Sequence, residues 1–375
     1  MIKYLEGNCI DKIKELEDNS IDCVVSSPPY FGLRDYGTAQ WQGGDLNCNH
    51  ISAKHKSRYD YDLSKAQTGT HAGAKKGTDQ AKWENICPDC GAKRIDEQFG
   101  LEKSYQDYIA NTVKVFETFK PKLKDTATIW WNVGDSYSSG SRKTTTLQTV
   151  RKPKSNEISK SKQKYLDGLI VRPPIQTGIK EKDLIMIPNR VAIALQEAGW
   201  YIRSEIIWHK PNPMPESVRD RPTSCHEKIW LITKSKKYYY DADAIKENCV
   251  GDERKWSDTY ENTGSILQGK TNAKIKKTRR YSKNNSLKRN KRNVWTVTTK
   301  PFKAAHFATF PPDLIEPCIK AGCPEGGTVL DPFSGAGTTG IVAKKFNRKA
   351  ILIELNPEYN VIAKERINQQ FGMFV

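Results

Sequence analysis

Hydrophobic and polar positions along the chain switch between two periods, one near 3.6 residues and one near 2. The opening segment reads strand, helix, strand. Ile13 and Leu16 are helically spaced within Asp11 to Leu16, and Ile21-Asp22-Cys23-Val24-Val25 is a short buried-strand run. Residues 104–120 place Tyr105, Tyr108, Ile109, Val113, Phe116 and Phe119 on one helical face, and Ala127 to Val133 follows as a strand closing at Gly134-Asp135. Leu184 to Ala198 predicts a helix, then Tyr201 to Trp208 and Lys228 to Thr233 predict strands. Toward the end, Leu314 to Ala321 is helical, Thr328-Val329-Leu330 a strand, and Gly340 to Lys345 a helix. Ala350 to Glu354 is a further strand and Pro357 to Asn368 a last helix. Strands alternating with helices predict an α/β fold built on a doubly wound, mostly parallel sheet.

Three stretches interrupt that rhythm. Residues 38–99 are rich in Gly, Lys and Asn and read as an insertion. Residues 138–182 carry eleven Lys and Arg against Glu157, Asp167 and Glu181. Residues 246–293 form the third, and between Glu261 and Asp313 the chain has thirteen basic residues and no acidic one. The remaining segments, 1–37, 100–137, 183–245 and 294–375, assemble one catalytic domain in this reading. Clustered Lys and Arg release counterions on meeting phosphates, so double-stranded DNA is the natural partner for a chain of net charge +18. A solubilising loop is the bland alternative for either stretch. No apolar run approaches the roughly 20 residues of a membrane helix, and the N-terminus has no signal-peptide core. Nine scattered cysteines do not read as a secreted disulfide framework. The expectation is a soluble, cytoplasmic protein with no membrane partner.

Two motifs carry chemistry. Asp331-Pro332-Phe333-Ser334-Gly335-Ala336-Gly337-Thr338-Thr339-Gly340 follows a predicted strand and opens a helix. Gly335 and Gly337 let backbone pass close to a ligand. No Gly-Lys-Ser/Thr is present, which excludes a phosphate-cradling loop for ATP. Glu354 ends the next strand, 23 residues after Asp331, where a carboxylate accepts hydrogen bonds from ribose hydroxyls. The second motif, Ser27-Pro28-Pro29-Tyr30, stops a strand sharply. Two prolines fix carbonyls toward a cleft, Ser27 offers an acceptor, and Tyr30 offers an aromatic face, as gripping the exocyclic amine of a flipped base requires. Taken singly, the glycine turn also fits a ligand-free strand–helix turn, and Pro-Pro-Tyr a loop or a proline-rich ligand.

Together, and in this order, the two motifs resemble the amino-methylating DNA methyltransferases that use S-adenosylmethionine, in their circularly permuted β group. The resemblance implies a Rossmann-like methyltransferase fold with Ser27, Pro28, Pro29 and Tyr30 as the catalytic loop. It implies that Asp331, Phe333, Gly335 and Gly337 line the methionine end of the cofactor, that Thr338 and Thr339 help hold it, and that Glu354 binds the ribose. His306, Phe307 and Thr309, within His306-Phe307-Ala308-Thr309-Phe310-Pro311, match the segment that touches the cofactor. Asn8 and Cys9, in Gly7-Asn8-Cys9, match the turn at the adenine, with Asn8 where the family usually has Asp. Within that family, Ser before Pro-Pro-Tyr leans towards N4 of cytosine as the methylated atom, and N6 of adenine stays open. RNA or protein methylation and a non-catalytic DNA-binding module are the more distant alternatives. Cytosine C5 chemistry is rejected, because the one suitable Pro-Cys pair, Pro317-Cys318, lies in a predicted helix before the cofactor turn. A restriction–modification setting leaves a companion endonuclease and a homodimer open.

Within the first insertion, Cys48 and His50 with Cys87 and Cys90 offer a Cys₃His set for structural zinc, half of it a Cys-x-x-Cys-Gly knuckle. A metal-free segment or a redox pair remain alternatives. Trp208, Asn212 and His226 are weaker candidates for a base pocket, and Asp135 reads either as a pocket residue or as a helix cap.

Overall fold

The computed structural model describes residues 1–33, 36, 38–45, 47–48, 86–87, 89–138, 178–248, 288–299 and 310–372. In chain order, β1 (Ile2–Glu6) leads into α1 (Cys9–Lys14), β2 (Ile21–Ser26), and the short β3 (Gln40–Gln42) and β4 (Lys93–Ile95). Then come α2 (Tyr105–Phe119), β5 (Leu123–Val133), α3 (Ile187–Glu197), β6 (Tyr201–His209) and β7 (His226–Thr233). Two-residue strands β8 (Glu247–Asn248) and β9 (Lys288–Arg289) precede β10 (Val294–Thr296) and α4 (Pro312–Gly322). The chain closes with β11 (Thr328–Asp331), α5 (Thr338–Lys345), β12 (Lys349–Glu354) and α6 (Pro357–Phe371).

Eight strands form one sheet in the order β1-β12-β11-β2-β5-β7-β6-β10. All pairings are parallel except those of β7, which runs antiparallel to both β5 and β6. The predicted doubly wound, mostly parallel sheet is therefore the one observed. Both faces are covered, as a parallel sheet requires. Successive residues of the central strands point to opposite layers. Val24, Ile129 and Trp131 join Phe116, Phe119 and Trp200 on one side, while Cys23, Val25 and Trp130 join Leu314, Ile319 and Ile341 on the other.

Local chemistry explains where helices start. Asn8 accepts from the Ile10 amide (2.9 Å) ahead of α1, and Ser104 accepts from the Asp107 amide (3.1 Å) ahead of α2. Asn356 does the same for α6, with Pro357 at its first position. Asp135 accepts from the Ile187 amide (3.1 Å) at the start of α3, where Met186 holds the cap position, and from the Ser136 amide (2.9 Å). Among the described helices, none is long and apolar enough to cross a membrane.

Phe116 locks α2 to the sheet. Its ring lies 5.0 Å from Trp131, 4.8 Å from Phe119 and 5.3 Å from Trp200. Phe116→Ala is expected to cost about 3–5 kcal/mol of unfolding free energy. Urea denaturation checks this, and a loss below about 1 kcal/mol would show that α2 docks by other contacts.

Candidate active site

Parallel strands deliver their carboxyl ends to one edge of the sheet, and the polar residues gather there. Glu6 ends β1, Ser26 ends β2, Asp331 ends β11 and Glu354 ends β12. Because β7 is reversed, its first residues, His226 and Glu227, reach the same edge. Between the loops lies a cleft of about 510 Å³. Its walls include Gly7, Asn8, Cys9, Ser27, Pro29, Phe333, Ser334, Gly335, Thr338 and Glu354.

The glycine turn and Glu354 are built around each other. Gly335, at φ +48°, donates its amide to Glu354 Oε2 (2.8 Å), and the Asn356 amide donates to Oε1 (2.9 Å). Burial nevertheless raises the Glu354 carboxyl to about 7, against the lowering effect of those amides. A carboxylate this poorly solvated gains from hydroxyl donors that enter the cleft. Ser334 Oγ points the same way. It is buried and has no hydrogen-bond partner among the described residues, so it is a polar atom awaiting one. An acceptor, an orphan hydroxyl, the flat faces of Phe99 and Phe333 and a cleft of this size suit a nucleoside-type cofactor. Cys9 lines the cleft as a neutral thiol, pushed up to about 12 by burial.

Asp331 takes a different place. Its side chain is only 1% exposed and faces inward. Oδ1 accepts from Ser26 Oγ (2.6 Å) and the Phe333 amide (3.1 Å), and Oδ2 accepts from Thr339 Oγ1 (2.6 Å). Desolvation raises it to about 6 despite these three donors. Asp331 and Thr339 thus tie β2 to the turn from behind, while Phe333, Gly335 and Thr338 face the cleft. Gly337, at φ +74°, packs against α6, where a Cβ would sit 2.8 Å from Ala363 Cβ.

The Ser27–Tyr30 loop adjoins the cleft. Ser27 Oγ donates to the Tyr30 hydroxyl (3.3 Å), and Tyr30 donates to Glu227 Oε2 (2.6 Å). Asn132 Nδ2 also donates to Glu227 Oε2 (3.3 Å), and Lys210 Nζ pairs with Glu227 Oε1. Burial, reinforced by the Glu227 charge, holds the Tyr30 phenol well above its ordinary pKa, so it stays a donor. Since Ser27 gives its proton to Tyr30, its lone pairs are left for a donor in the cleft. The Pro29 carbonyl accepts from Tyr108 OH (3.1 Å). Gly134 makes room for the Tyr30 ring, since a Cβ there would lie 2.5 Å from Cε2.

Of the other predicted positions, Asn8 lines the cleft while also serving its helix. Asn8 is the α1 cap, and its Nδ2 donates to Glu97 Oε2 (3.4 Å). His306, Phe307 and Thr309 lie outside the described residues, while their neighbour Phe310 lines the cleft. Trp208 is core, donating its indole N–H to the Val297 carbonyl (2.8 Å), and Asn212 braces Thr299. Cys318 is fully buried. Cys48, Cys87 and Cys90 converge, their sulfurs within 4.8 Å of one another, and His50 lies outside the described residues. The sequence reading missed Glu227, Lys210, Asn132 and Tyr108, and it put Asp96–Phe99, which form a wall of the cleft, in the insertion. Asn132 had a signal, a lone amide in the apolar run Ile129-Trp130-Trp131-Asn132-Val133.

A nucleoside-sized cleft beside a loop of rigid hydrogen-bond acceptors is the layout of a group-transfer enzyme on a doubly wound sheet. A family model described as DNA methylase, of the N6/N4 methyltransferase type, matches residues 21–365. The chain is 37% identical over 362 residues to the Type II methyltransferase M.Cfr9I of Citrobacter freundii, covering 96% of this chain and 86% of that one. It is 36% identical over 365 residues to the Type II methyltransferase M.SmaI of Serratia marcescens, covering 97% and 90%. Its fold is similar to that of the PvuII DNA methyltransferase (cytosine-N4-specific), with a TM-score of 0.52, 14% identity, and coverage of 99% and 91%. The chain belongs to the N6/N4 DNA methylase family.

Two outcomes test this site. Gly134→Ala is expected to displace the Tyr30 ring and lower methyl transfer on the order of 100-fold, as a misplacement of about 1 Å does; initial rates check it, and an unchanged rate would show that the ring position is immaterial. Glu354 has a carboxyl raised from 4.5 to about 7, so between those values the folded chain keeps a proton that the unfolded chain has lost. Stability from this group is full at low pH and disappears as pH rises through that window. Relative to Glu354→Gln, the cofactor-free wild type is expected to lose up to roughly 3 kcal/mol across it. Parallel curves of stability against pH would contradict the assignment.

Proposed function

We propose that this protein methylates N4 of cytosine in duplex DNA, using S-adenosylmethionine in the 510 Å³ cleft, after flipping the target base out of the stack. The observation that carries the reading is the Ser27–Tyr30–Glu227 chain of hydrogen bonds, which starts at Ser27 on the cleft wall and runs back to the sheet edge. When bound, S-adenosylmethionine supplies an electrophilic methyl on a sulfonium sulfur. Glu354 would hold the ribose hydroxyls, Ser334 and Gly335 would meet the adjoining chain, and Phe99 and Phe333 would flank it.

An exocyclic amine is a poor nucleophile because its lone pair is delocalised into the ring. Ser27 Oγ and the Pro28 carbonyl accept its hydrogens and turn the lone pair out of conjugation, toward the methyl. Tyr30 then does two jobs. Its ring would face the base, and its hydroxyl would relay a proton from Ser27 to Glu227. Once the methyl has left sulfur for the amine nitrogen, one amine proton would move to Ser27 Oγ, the Ser27 proton to Tyr30 and the Tyr30 proton to Glu227 Oε2, from which water would remove it. The products are the N-methylated base, S-adenosylhomocysteine and a proton. Holding the reactants in line supplies much of the acceleration.

Ser27 ahead of Pro-Pro-Tyr supports N4 of cytosine over N6 of adenine. The Type II designation of the relatives supports a restriction–modification pair, acting beside DNA in the cytoplasm, with an endonuclease that reads the same sequence. The basic stretches at 138–182 and 246–293 would reach the phosphates, and most of both lies outside the described residues.

Mass spectrometry of nucleosides from duplex DNA incubated with protein and S-adenosylmethionine is expected to show N4-methylcytosine. N6-methyladenine would overturn the base assignment, and no methylated nucleoside on DNA of varied sequence would overturn the reaction. Tyr30→Phe keeps the ring and removes the relay, and is expected to lower kcat by about 10²–10⁴ with DNA affinity retained. Wild-type kcat in this variant would remove Tyr30 OH from the mechanism.

A further inference from the structure

The paired strands β3 and β4 are antiparallel, with Trp41 opposite Arg94. Two strands of three residues are not stable by themselves. At their open end the chain brings Cys48, Cys87 and Cys90 together, and no disulfide links them. Cys48 Sγ and Cys87 Sγ are 3.7 Å apart. Two thiolates bound at about 2.3 Å to one tetrahedral zinc lie about 3.8 Å from each other. The backbone is shaped to the same end. Cys87 donates its amide to Ala92 O (2.7 Å) and Gly91 donates to Cys87 O (2.8 Å), closing the Cys-x-x-Cys turn. Gly44, at φ +76°, passes so close that a Cβ would stand 2.7 Å from Cys90 Sγ. Cys87 is 1% exposed, while Cys48 and Cys90 are half-buried, so the cluster has one buried ligand and two nearer the surface.

We propose that Cys48, Cys87 and Cys90 hold a zinc ion that clamps the β3–β4 ribbon and thereby fixes one wall of the cofactor cleft. The three sulfurs supply three corners of a tetrahedron and leave the fourth to a further protein donor or a water. The wall begins where β4 ends. Thr38 Oγ1 donates to Asp96 Oδ1 (3.2 Å), and the Tyr36 amide donates to Gln98 Oε1 (2.6 Å). The Phe99 ring lies 5.2 Å from Phe333 and 4.9 Å from Tyr108. These contacts join the segments flanking the ribbon to one another, to Phe333 of the cleft and to Tyr108 of α2. Losing the clamp frees these residues, and binding must then include the cost of ordering them. Zinc occupancy accordingly sets cofactor affinity, a statement that rests on the cofactor reading above.

The test uses the full chain purified without added chelator. Elemental analysis is expected to find about one zinc per chain in the wild type and almost none in a Cys87→Ser/Cys90→Ser variant. In case that variant does not fold, wild-type protein stripped of zinc and reloaded with Co²⁺ is expected to show thiolate-to-metal charge-transfer absorption. Titration calorimetry with S-adenosylhomocysteine then compares zinc-loaded, stripped and reloaded wild type. The Kd is expected to rise at least roughly tenfold on stripping and to return on reloading. Zinc-free wild-type protein without the cobalt signature overturns the site. Stoichiometric zinc whose removal leaves Kd unchanged overturns the coupling. Zinc content is read without any cofactor, so failure of the metal site and failure of the cofactor reading appear in different measurements.

Discussion

A single buried carboxylate joins the two loops on which this enzyme depends. Asp331 ends β11 with its side chain turned into the sheet edge, accepting from Ser26, Thr339 and the Phe333 amide. Ser26 immediately precedes the Ser27–Tyr30 loop, and Phe333 opens the glycine turn. Burying a carboxyl group is costly, and three donors are what make it tolerable here. The arrangement fixes the distance between the Ser27–Tyr30 loop and the glycine turn. Parallel neighbours β2 and β11 end side by side, so a short side chain spans the gap.

The reversed strand β7 adds the second constraint. In a wholly parallel sheet the residues at this edge would all be strand ends. Reversal brings the start of β7 there instead, and with it Glu227, the acceptor for Tyr30, Asn132 and Lys210. Behind the loop, Tyr108 from α2 holds the Pro29 carbonyl. The Ser27–Tyr30 loop is therefore pinned from the sheet, from a helix and from its own serine. Such rigidity is what a site needs when it has to hold an amine in line with a methyl group.

Much of the fold was legible in the sequence because it is local. Helical spacing within residues 104–120 and the apolar runs Ile21–Val25 and Ala127–Val133 each depend on neighbours within a few residues. The glycine turn and Ser27-Pro28-Pro29-Tyr30 were readable for the same reason, since strand ends that approach ligands need Gly or Pro. What could not be read depends on distant partners. Tyr30 and Glu227 are 197 residues apart, and Tyr108 and Pro29 are 79 apart. The direction of β7 follows from tertiary pairing, which periodicity does not encode. Asp331 shows the limit most clearly. Its motif marks the turn, but only coordinates show the carboxylate facing inward as a brace while Glu354 faces the cleft.

A crystal structure with S-adenosylhomocysteine tests the central claim most directly, because it places both halves of the site at once. The account predicts ribose hydroxyls on the Glu354 carboxylate, at about 2.7 Å for a charge-assisted O–H···O bond. It also predicts the sulfur turned toward Ser27, with Asp331 still bound to Ser26 and Thr339. Adenosine bound away from Glu354, or a sulfur facing away from the Ser27–Tyr30 loop, would contradict it.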